Sequence, residues 1–331
     1  MGKRKTIAIV MGGFSSEYDI SVKSGEVVYK WLDRDRYDPW RILIRREGWT
    51  CLTENGDPVP VNRHDFSVPV SGGILRFDCV FNAIHGTPGE DGLLQSYLEL
   101  LGIPQTACGS YPAALTFNKR DLLSVLRPTG VATARSMPYN RGDVLDTKTL
   151  LETVGLPCFV KANRAGSSFG VSLVKEASGL QAAIAVAFRE DDEILIESAL
   201  KGTEISVGVI RYQGRVKVLP ITEILPENEF FDYEAKYQGK SKEITPARIP
   251  EETAGQVREM AARIYEALKL KGYSRSEFIL VDGVPHLLEV NTTPGLTEAS
   301  ILPQQAASAG ISLPELFGSA IEEALAKNSY L

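Results

Sequence analysis

Four polar side chains near residue 280 have the types and the spacing of a site for a metal ion and phosphates. Arg275 and Glu277 lie two residues apart in one apolar run. Glu289 and Asn291 lie two residues apart in the next. Side chains two apart on a β-strand leave it on the same face. Two carboxylates and an amide oxygen on one face of a hairpin suit Mg²⁺, which binds oxygen ligands beside substrate phosphates.

The turn of this hairpin decides whether the two acids meet. A three-residue turn at 282–284 places the two glutamates opposite each other and the arginine opposite the asparagine. A two-residue turn shifts the register by one and places the acids on opposite faces. The alternative to a site is a surface hairpin with solvated charges. We predict the metal site, because all four side chains are in phase and a polar loop, 291–297, follows them.

The composition narrows the class of protein. A chain of 331 residues with 44% hydrophobic and 24% charged residues is typical of a globular protein with two or three domains. A net charge of −6, with no basic tract, gives no electrostatic basis for binding nucleic acid or an anionic membrane. Residues 1–10 are a charged start followed by a strand rather than a signal peptide, and no apolar run approaches the ~18 residues of a membrane span. We therefore expect a cytoplasmic protein.

The cysteines and histidines do not predict a zinc site. The cysteines are far apart, without a CxxC pair, and we expect them to be reduced thiols. The histidines lack the spacing of metal ligands. These residues are Cys51, Cys79, Cys108 and Cys158, and His64, His85 and His286.

The N-terminal third predicts an α/β unit. Residues 5–11 form a buried strand, followed by a Gly-Gly turn and a helix, but GxGxxG is absent, so NAD or FAD binding is not expected. The turn supplies Glu17, Asp19 and Ser21, which either contact a ligand or cap the helix.

A second predicted strand, 78–84, ends at His85, and a loop and a helix follow it. Ligands of open α/β sheets bind beyond the carboxyl ends of strands. His85 is therefore either a ligand contact or a hydrogen-bonded structural histidine.

The middle of the chain predicts a phosphate flap. Residues 110–126 form a helix that contains Lys119, and Lys161 is near the end of a strand at 156–162. A Gly/Ser loop, 163–170, then leads to an antiparallel strand, which is typical of a flap over phosphates and also of an ordinary hairpin. Two later strand residues, Glu197 and Glu204, are either solvated or hold the ribose or adenine of a nucleotide.

Residues 226–244 are polar and aromatic and show neither helical nor strand periodicity. We predict an active-site lid there, because long irregular loops in compact domains are usually functional. The helix predicted at 251–270 has an apolar stripe that belongs to the core.

These motifs together resemble a known family. GG-x-SSE-x-D-I-S, HG-x-x-GEDG, KANRAGSSFG, DYEAKY, the Arg-x-acid hairpin and EVNTTPGLT occur in this order. The chain resembles the D-alanine–D-alanine ligases of the ATP-grasp superfamily from about residue 7 to about residue 325. The resemblance implies an α/β fold, mixed α+β in the ATP-binding part. It implies a Rossmann-like domain at 1–107, a central ATP-grasp subdomain with the flap at 108–200, and a C-terminal subdomain with the lid and metal site at 201–331.

The resemblance also implies a reaction and a set of partners. ATP phosphorylates the carboxylate of one D-alanine, the amine of a second D-alanine attacks, and phosphate leaves, which supplies the dipeptide of peptidoglycan. Two Mg²⁺ (or Mn²⁺) ions would bridge the ATP phosphates, bound by Glu277, Glu289 and Asn291. The resemblance also implies a homodimer, the usual assembly of this family.

The resemblance assigns the other roles residue by residue. In catalysis, Asp19 would bind the first ammonium, Arg275 and the N–H of Gly295 would stabilise the oxyanion, and Tyr237 would close the lid onto Ser167. The other substrate contacts would be Glu17, His85, Ser300 and Ile301, and the ATP contacts Lys119, Lys161, Ser168, Glu197, Leu200, Glu204 and Lys236. The chain departs from the family at Asp19, where Glu is usual, at Glu277, where Asp is usual, and at Ser198-Ala199, where a larger pair is expected.

Other functions remain open at this stage. A ligase of the same fold that uses D-lactate or D-serine as the second substrate is one alternative. Tyr237 favours an amine acceptor, and D-serine stays open. A catalytically silent ATP-binding module is an alternative of a different class. Loss of Arg275, of a metal acid or of the lid tyrosine would mark it, and all are present.

Overall fold

The computed structural model describes residues 4–53, 56–226 and 241–326. Its first sheet has five strands in the order β4-β3-β2-β1-β7, and β1 pairs in parallel with β2 and β7. A separate two-stranded sheet, β5-β6, lies between β4 and β7 in the chain. The strands are β1 (Lys5–Gly12), β2 (Tyr37–Ile44), β3 (Trp49–Leu52), β4 (Pro58–Pro60), β5 (Val68–Val70), β6 (Gly73–Leu75) and β7 (Cys79–Asn82).

The central strand β1 is covered on both faces, as its continuous apolar run predicts. Ile7 and Ile9 pack with helix α1 (Tyr18–Trp31) and with the C-terminal helix Leu313–Ala326. Ala8 and Val10 pack on the other face with α2 (Leu93–Leu100). Because β1 and β7 are parallel neighbours, the turns that follow them reach the same edge of the sheet.

The helix predicted at 110–126 is wrong as a single element. The chain forms α3 (Ser110–Phe117) and α4 (Lys119–Leu126), which are separated by Asn118. The backbone of Asn118 is extended, and its side chain accepts a hydrogen bond from the N–H of Asp121 at 3.0 Å. A capping asparagine starts a new helix here, and Lys119 begins that helix beside the flap.

The second sheet has four strands in the order β11-β10-β12-β9, with antiparallel pairing throughout. Helices α5 and α6 pack on one face of this sheet and leave the opposite face toward the third sheet. The pairing of β10 with β11 confirms the predicted strand, loop and antiparallel strand. The elements are β9 (Ser136–Asn140), α5 (Thr147–Val154), β10 (Cys158–Ala162), β11 (Ser172–Val174), α6 (Leu180–Ala187) and β12 (Glu193–Ser198), preceded by β8 (Ala132–Thr133).

The third sheet has seven strands, in the order β16-β15-β13-β17-β18-β8 with β14 paired to β13. Helices α3, α4 and α7 (Glu251–Ala267) pack on one face of this sheet. On the other face, α8 (Ile301–Ser308) packs with β13 (Thr203–Tyr212). The strands are β13 (Thr203–Tyr212), β14 (Arg215–Val218), β15 (Thr222–Pro226), β16 (Ser241–Ile244), β17 (Tyr273–Val281) and β18 (Val284–Asn291). The helices are α7 (Glu251–Ala267), α8 (Ile301–Ser308) and α9 (Leu313–Ala326).

The hairpin β17–β18 confirms the predicted pairing but not the predicted turn. Glu277 lies opposite Glu289, and Arg275 lies opposite Asn291. The turn has two residues, Asp282 and Gly283, both with positive φ, since Val281 pairs with Val284. A bulge after Glu277 inserts one extra residue in β18 and restores the register that the short turn would have lost.

Three further predictions about the fold need correction or comment. Residues 241–244, predicted as irregular, form β16 and pair with β15. The helix predicted at 251–270 ends at Ala267. The predicted domain boundaries at 107 and 200 stay predictions; α3 and α4 pack on the third sheet, and α9 packs on the first. Among the described residues, no helix is long and apolar enough to cross a membrane.

Candidate active site between the sheets

A cavity of about 550 Å³ lies between the second and third sheets. Strand β10 alternates, so that Cys158 and Val160 are buried while Phe159 and Lys161 line the cavity. Glu197 of β12 lies opposite Phe159 and forms a buried ion pair with Lys161. The predicted ATP contacts among the described residues all line this cavity, and we refer to it as the nucleotide cavity after that prediction: Lys119, Lys161, Ser168, Glu197, Leu200 and Glu204.

A second cavity, of about 250 Å³, adjoins the first. Distant parts of the chain meet around it: the loops after β1 and β7, the flap, strands β16 and β17, and the segment from β18 to α8. Gly166, Ser167 and Glu289 line both cavities, so the flap and the hairpin form their common wall. The predicted site residues in this amino-acid cavity are Glu17, His85, Ser167, Arg275, Glu289, Asn291, Gly295, Ser300 and Ile301.

The hairpin places positive and negative charges at this common wall. The Arg275 guanidinium lies 2.6 Å from Glu277 Oε1, and Lys119 Nζ lies 3.2 Å from Glu289 Oε2. Asn291 Nδ2 donates to Glu289 Oε1 at 3.3 Å. Within the described ranges, no group of three or more His, Cys, Asp or Glu side chains is placed to hold a metal ion. The candidate set is therefore two carboxylates and one amide.

The structure brings Glu17, and not Asp19, to the amino-acid cavity. Glu17 is buried and lines the cavity, whereas Asp19 is exposed and does not. Helix α1 begins at Tyr18, so Asp19 lies in its first turn and projects toward solvent, while Glu17 precedes the helix and turns inward. Ser21 is structural, since its Oγ accepts from Gly12 N and donates to Ala83 O, both at 2.8 Å. Of the two acids predicted to contact substrate in this segment, Glu17 lines the cavity and Asp19 does not.

The flap closes directly onto this glutamate. Ser167 Oγ donates to Glu17 Oε1 at 2.5 Å. A Cβ atom at Gly166 would lie 2.6 Å from the same carboxylate oxygen, so any larger residue would displace the Glu17 carboxylate. Ser167 and Ser168 have positive φ, 52° and 60°, which costs free energy in non-glycine residues. The tight approach links the first and second sheets across the cavity.

His85 was expected to be either a ligand contact or a hydrogen-bonded structural histidine, and both of its ring nitrogens have hydrogen-bond partners within the protein. Its Nδ1 lies 2.8 Å from the carbonyl oxygen of Thr293, and its Nε2 lies 2.9 Å from Ser24 Oγ. Ser24 Oγ in turn accepts from Leu296 N at 3.3 Å, so its hydroxyl proton is directed to Nε2. Burial lowers the pKa of His85 to about 4. The neutral ring therefore holds the 293–296 loop, although one side of it lines the cavity.

The other end of the amino-acid cavity is the start of α8. Ser300 precedes this helix, and its Oγ lies 2.7 Å from Thr297 Oγ1. A Cβ at Gly295 would approach Ser300 Oγ to 2.8 Å, so glycine lets the loop pack against the serine. Helix N-termini present N–H groups and a positive dipole end that favour carboxylates.

Two further acids line this cavity and were not among the predicted site residues. Glu90 is buried and accepts from Gly86 N at 3.0 Å, and burial, with the nearby charge of Glu17, raises its pKa to about 7. Glu243 lines the cavity from β16, and burial raises its pKa as well. Glu90 belongs to the motif HG-x-x-GEDG, for which no role of this residue was predicted. Glu243 belongs to residues 226–244, which were predicted as irregular. The predicted contacts of Lys236 and Tyr237 lie outside the described residues.

Two sheets enclosing a nucleotide-sized cavity, with lysines on one wall and an acidic hairpin on the other, define the ATP-grasp class of enzymes. The sequence models described as the N-terminus and the C-terminus of D-ala D-ala ligase match residues 6–108 and 125–322. The D-alanine–D-alanine ligase of Flavobacterium johnsoniae is 61% identical, covering 97% of this chain and 100% of the relative. That of Christiangramia forsetii is 59% identical, covering 97% and 99%. This chain belongs to the D-alanine–D-alanine ligase family and is an ATP-dependent ligase.

Solved structures agree with this assignment. D-alanyl-alanine synthetase A from Vibrio cholerae has a TM-score of 0.87 at 29% identity, covering 99% of this chain and 100% of that one. The VanG D-Ala:D-Ser ligase from Enterococcus faecalis has a TM-score of 0.84 at 30% identity, covering 97% and 100%. The Bacillus anthracis D-alanine–D-alanine ligase complexed with ATP has a TM-score of 0.80 at 29% identity, covering 98% and 99%. The ATP-grasp fold predicted from the sequence is therefore confirmed.

Proposed function

We propose that this chain joins two D-alanines with ATP, and that each cavity binds one class of substrate. The observation that carries the proposal is the common wall: Ser167 and Glu289 line both cavities. A phosphoryl group must pass from the nucleotide to an amino-acid carboxylate, so the two substrates must meet at one point. The flap and the hairpin supply that point.

In the nucleotide cavity, Lys119 and Lys161 neutralise phosphate oxygens, and Ser168 covers them from the flap. Glu197 and Leu200 line the adenine end, and Glu204 binds the ribose. Lys236, outside the described residues, joins the phosphate contacts from the lid. Dense positive charge is needed here because an anionic carboxylate attacks an anionic phosphate.

Glu277, Glu289 and Asn291 fit Mg²⁺ chemically, since they offer oxygen ligands on one face of a rigid hairpin. The hydrogen bond from the Asn291 amide N–H₂ to Glu289 leaves the amide oxygen available as a third oxygen donor. Two ions bound there would lower the charge repulsion between the phosphates and the attacking carboxylate. Without the ions, Lys119 and Arg275 partly neutralise the same carboxylates.

In the amino-acid cavity, Glu17 takes the role first assigned to Asp19 and binds the ammonium of the first D-alanine. Ser167 fixes the orientation of that carboxylate. The start of α8, at Ser300 and Ile301, binds the carboxylate of the second D-alanine. Tyr237 closes the lid over both substrates.

The reaction then has two steps. The first D-alanine's carboxylate oxygen takes the γ-phosphoryl group, and ADP leaves. The second D-alanine's amine, after losing a proton, attacks the acyl carbon, and the C–O bond to phosphate breaks. Arg275 and the N–H of Gly295 line the cavity where the oxyanion forms, and such fixed donors stabilise developing charge.

The test is phosphate release from ATP and Mg²⁺ with D-alanine alone, and with D-alanine plus D-lactate or D-serine. We expect release that requires D-alanine, with D-alanyl-D-alanine as the product. If mixed products form in preference to the dipeptide, the second substrate is D-lactate or D-serine rather than D-alanine, and the two-step mechanism stands. ATP binding without release in any mixture would overturn the proposal in favour of a silent module.

We also propose that the protein is a cytoplasmic homodimer with the three predicted domains, which rests on the resemblance to the family. Light scattering after gel filtration tests the assembly. A mass near 36.2 kDa, that of one chain, would contradict a stable dimer.

A further inference from the structure

Glu243 is an acid of the amino-acid cavity that the proposed mechanism does not use. It lies on β16 opposite Ile224, and Ile224 packs against Ile301, the first residue of α8. Since directly opposite residues leave two strands on the same face, Glu243 faces the start of that helix. This is the end of the cavity proposed for the second substrate.

A glutamine holds this carboxylate in place. Gln304 Nε2 donates to Glu243 Oε2 at 2.8 Å and to the carbonyl oxygen of Ala299 at 2.7 Å. The glutamine therefore ties β16 to the loop before α8. Two charged groups act on Glu243: Arg275, which favours its ionised form, and Glu277, which opposes it.

The charge of Glu243 acts differently on the two kinds of acceptor. D-alanine is a zwitterion, so attraction of its ammonium and repulsion of its carboxylate partly cancel. D-lactate has a hydroxyl in place of the ammonium and carries a net negative charge, so only repulsion remains. In a partly buried site, a charge pair is screened much less than in water.

We propose that Glu243, held by Gln304, is a specificity-determining residue that excludes D-hydroxy acids from the acceptor end of the cavity. This inference rests on the proposed function, because it needs the second substrate to bind at Ser300 and Ile301. With D-lactate, the hydroxyl oxygen would attack the acyl phosphate, lose its proton, and form an ester as phosphate leaves.

The test is a competition at one fixed pH between equal concentrations of two acceptors, with D-alanine, ATP and Mg²⁺. Mass spectrometry gives the ratio of D-alanyl-D-lactate to D-alanyl-D-alanine within one sample, which does not depend on the fraction of folded enzyme. We expect Glu243→Gln, which keeps the hydrogen bond and removes the charge, to raise this ratio about tenfold. Gln304→Met removes the hydrogen bond but keeps the charge, and should raise it less than about threefold.

Two controls separate charge from shape. Glu259→Gln removes an exposed charge on α7, away from the cavity, and should leave the ratio unchanged. D-serine has the same net charge as D-alanine, so the ratio of D-alanyl-D-serine to D-alanyl-D-alanine should move less than about twofold in Glu243→Gln. An unchanged D-lactate ratio in Glu243→Gln, or an equal shift with D-serine, overturns the inference and leaves the ligase standing. If the unaltered enzyme makes no dipeptide, the proposed function itself fails.

Discussion

The nucleotide cavity and the amino-acid cavity share a wall but are assembled in different ways. Most of the nucleotide contacts project from or border regular strands, where alternation places Lys161 and Glu197 on one face of one sheet. The amino-acid contacts come from loops and helix starts that are far apart in the chain, such as Glu17 and Ser300. The first site is thus largely fixed by local periodicity, and the second depends on how sheets and helices pack.

The largest expected effect is that of a substitution at Glu17, which should impair the amino-acid cavity and not the nucleotide cavity. Glu17→Gln should lower kcat/KM for D-alanine about 100-fold or more, because an ammonium loses its buried charged partner. The affinity for ATP should change less than about threefold, since the nucleotide cavity does not include this residue.

The matched control for that prediction is Asp19→Asn, two residues away. We expect less than a threefold change in kcat/KM, because Asp19 is exposed and outside the cavity. Steady-state kinetics and ATP titration of both variants decide the question. A larger loss in Asp19→Asn than in Glu17→Gln would restore the assignment that we made from the sequence.

A smaller effect is expected at the common wall. Gly166→Ala places a Cβ 2.6 Å from Glu17 Oε1, which displaces a flexible carboxylate rather than backbone. The free energy of unfolding should therefore change by less than about 1 kcal/mol, while turnover falls roughly 10- to 100-fold. Gly255→Ala, on α7 with open space around it, is the control and should keep full turnover. Unaltered turnover in Gly166→Ala would show that the flap does not position Glu17.

The last expected effect concerns stability, rather than turnover, and its dependence on pH at His85. The folded pKa of about 4 is below the value of about 6.5 in an unfolded chain, so the unfolded state binds more protons between these values. The free energy of unfolding therefore rises with pH across this window. Protonation linked to His85 lowers it by about 3 kcal/mol as the pH falls from 7 to 4.

Variants at two histidines measure that contribution. We expect the destabilisation caused by His85→Asn to shrink by about 2–3 kcal/mol when denaturant unfolding is repeated near pH 4.5 instead of pH 7. His64→Asn, at an exposed position, should show no such change. Equal pH dependence in the two variants would mean that His85 is not buried as a neutral ring.

The sequence determined much of this protein by itself. Alternation was sufficient for the strands β1, β10 and β12, because a strand with a period of two places alternate residues on the same face. The ATP contacts followed from the order of the motifs and stay a prediction, although the side chains concerned line one cavity. The pairing of Glu277 with Glu289 was also correct, but for the wrong reason: a two-residue turn and a bulge together gave the register expected from a three-residue turn. Bulges leave no clear signal in the sequence.

Only the tertiary structure decided the amino-acid cavity. It selected Glu17 over Asp19, because the first residue of α1 is Tyr18 and side chains on either side of a helix start project in different directions. It made His85 a structural ring by placing Ser24 and Thr293 at its two nitrogens. It also brought Glu243 to the start of α8. These contacts join residues far apart in the chain, and no local pattern specifies which distant segment fills a given space.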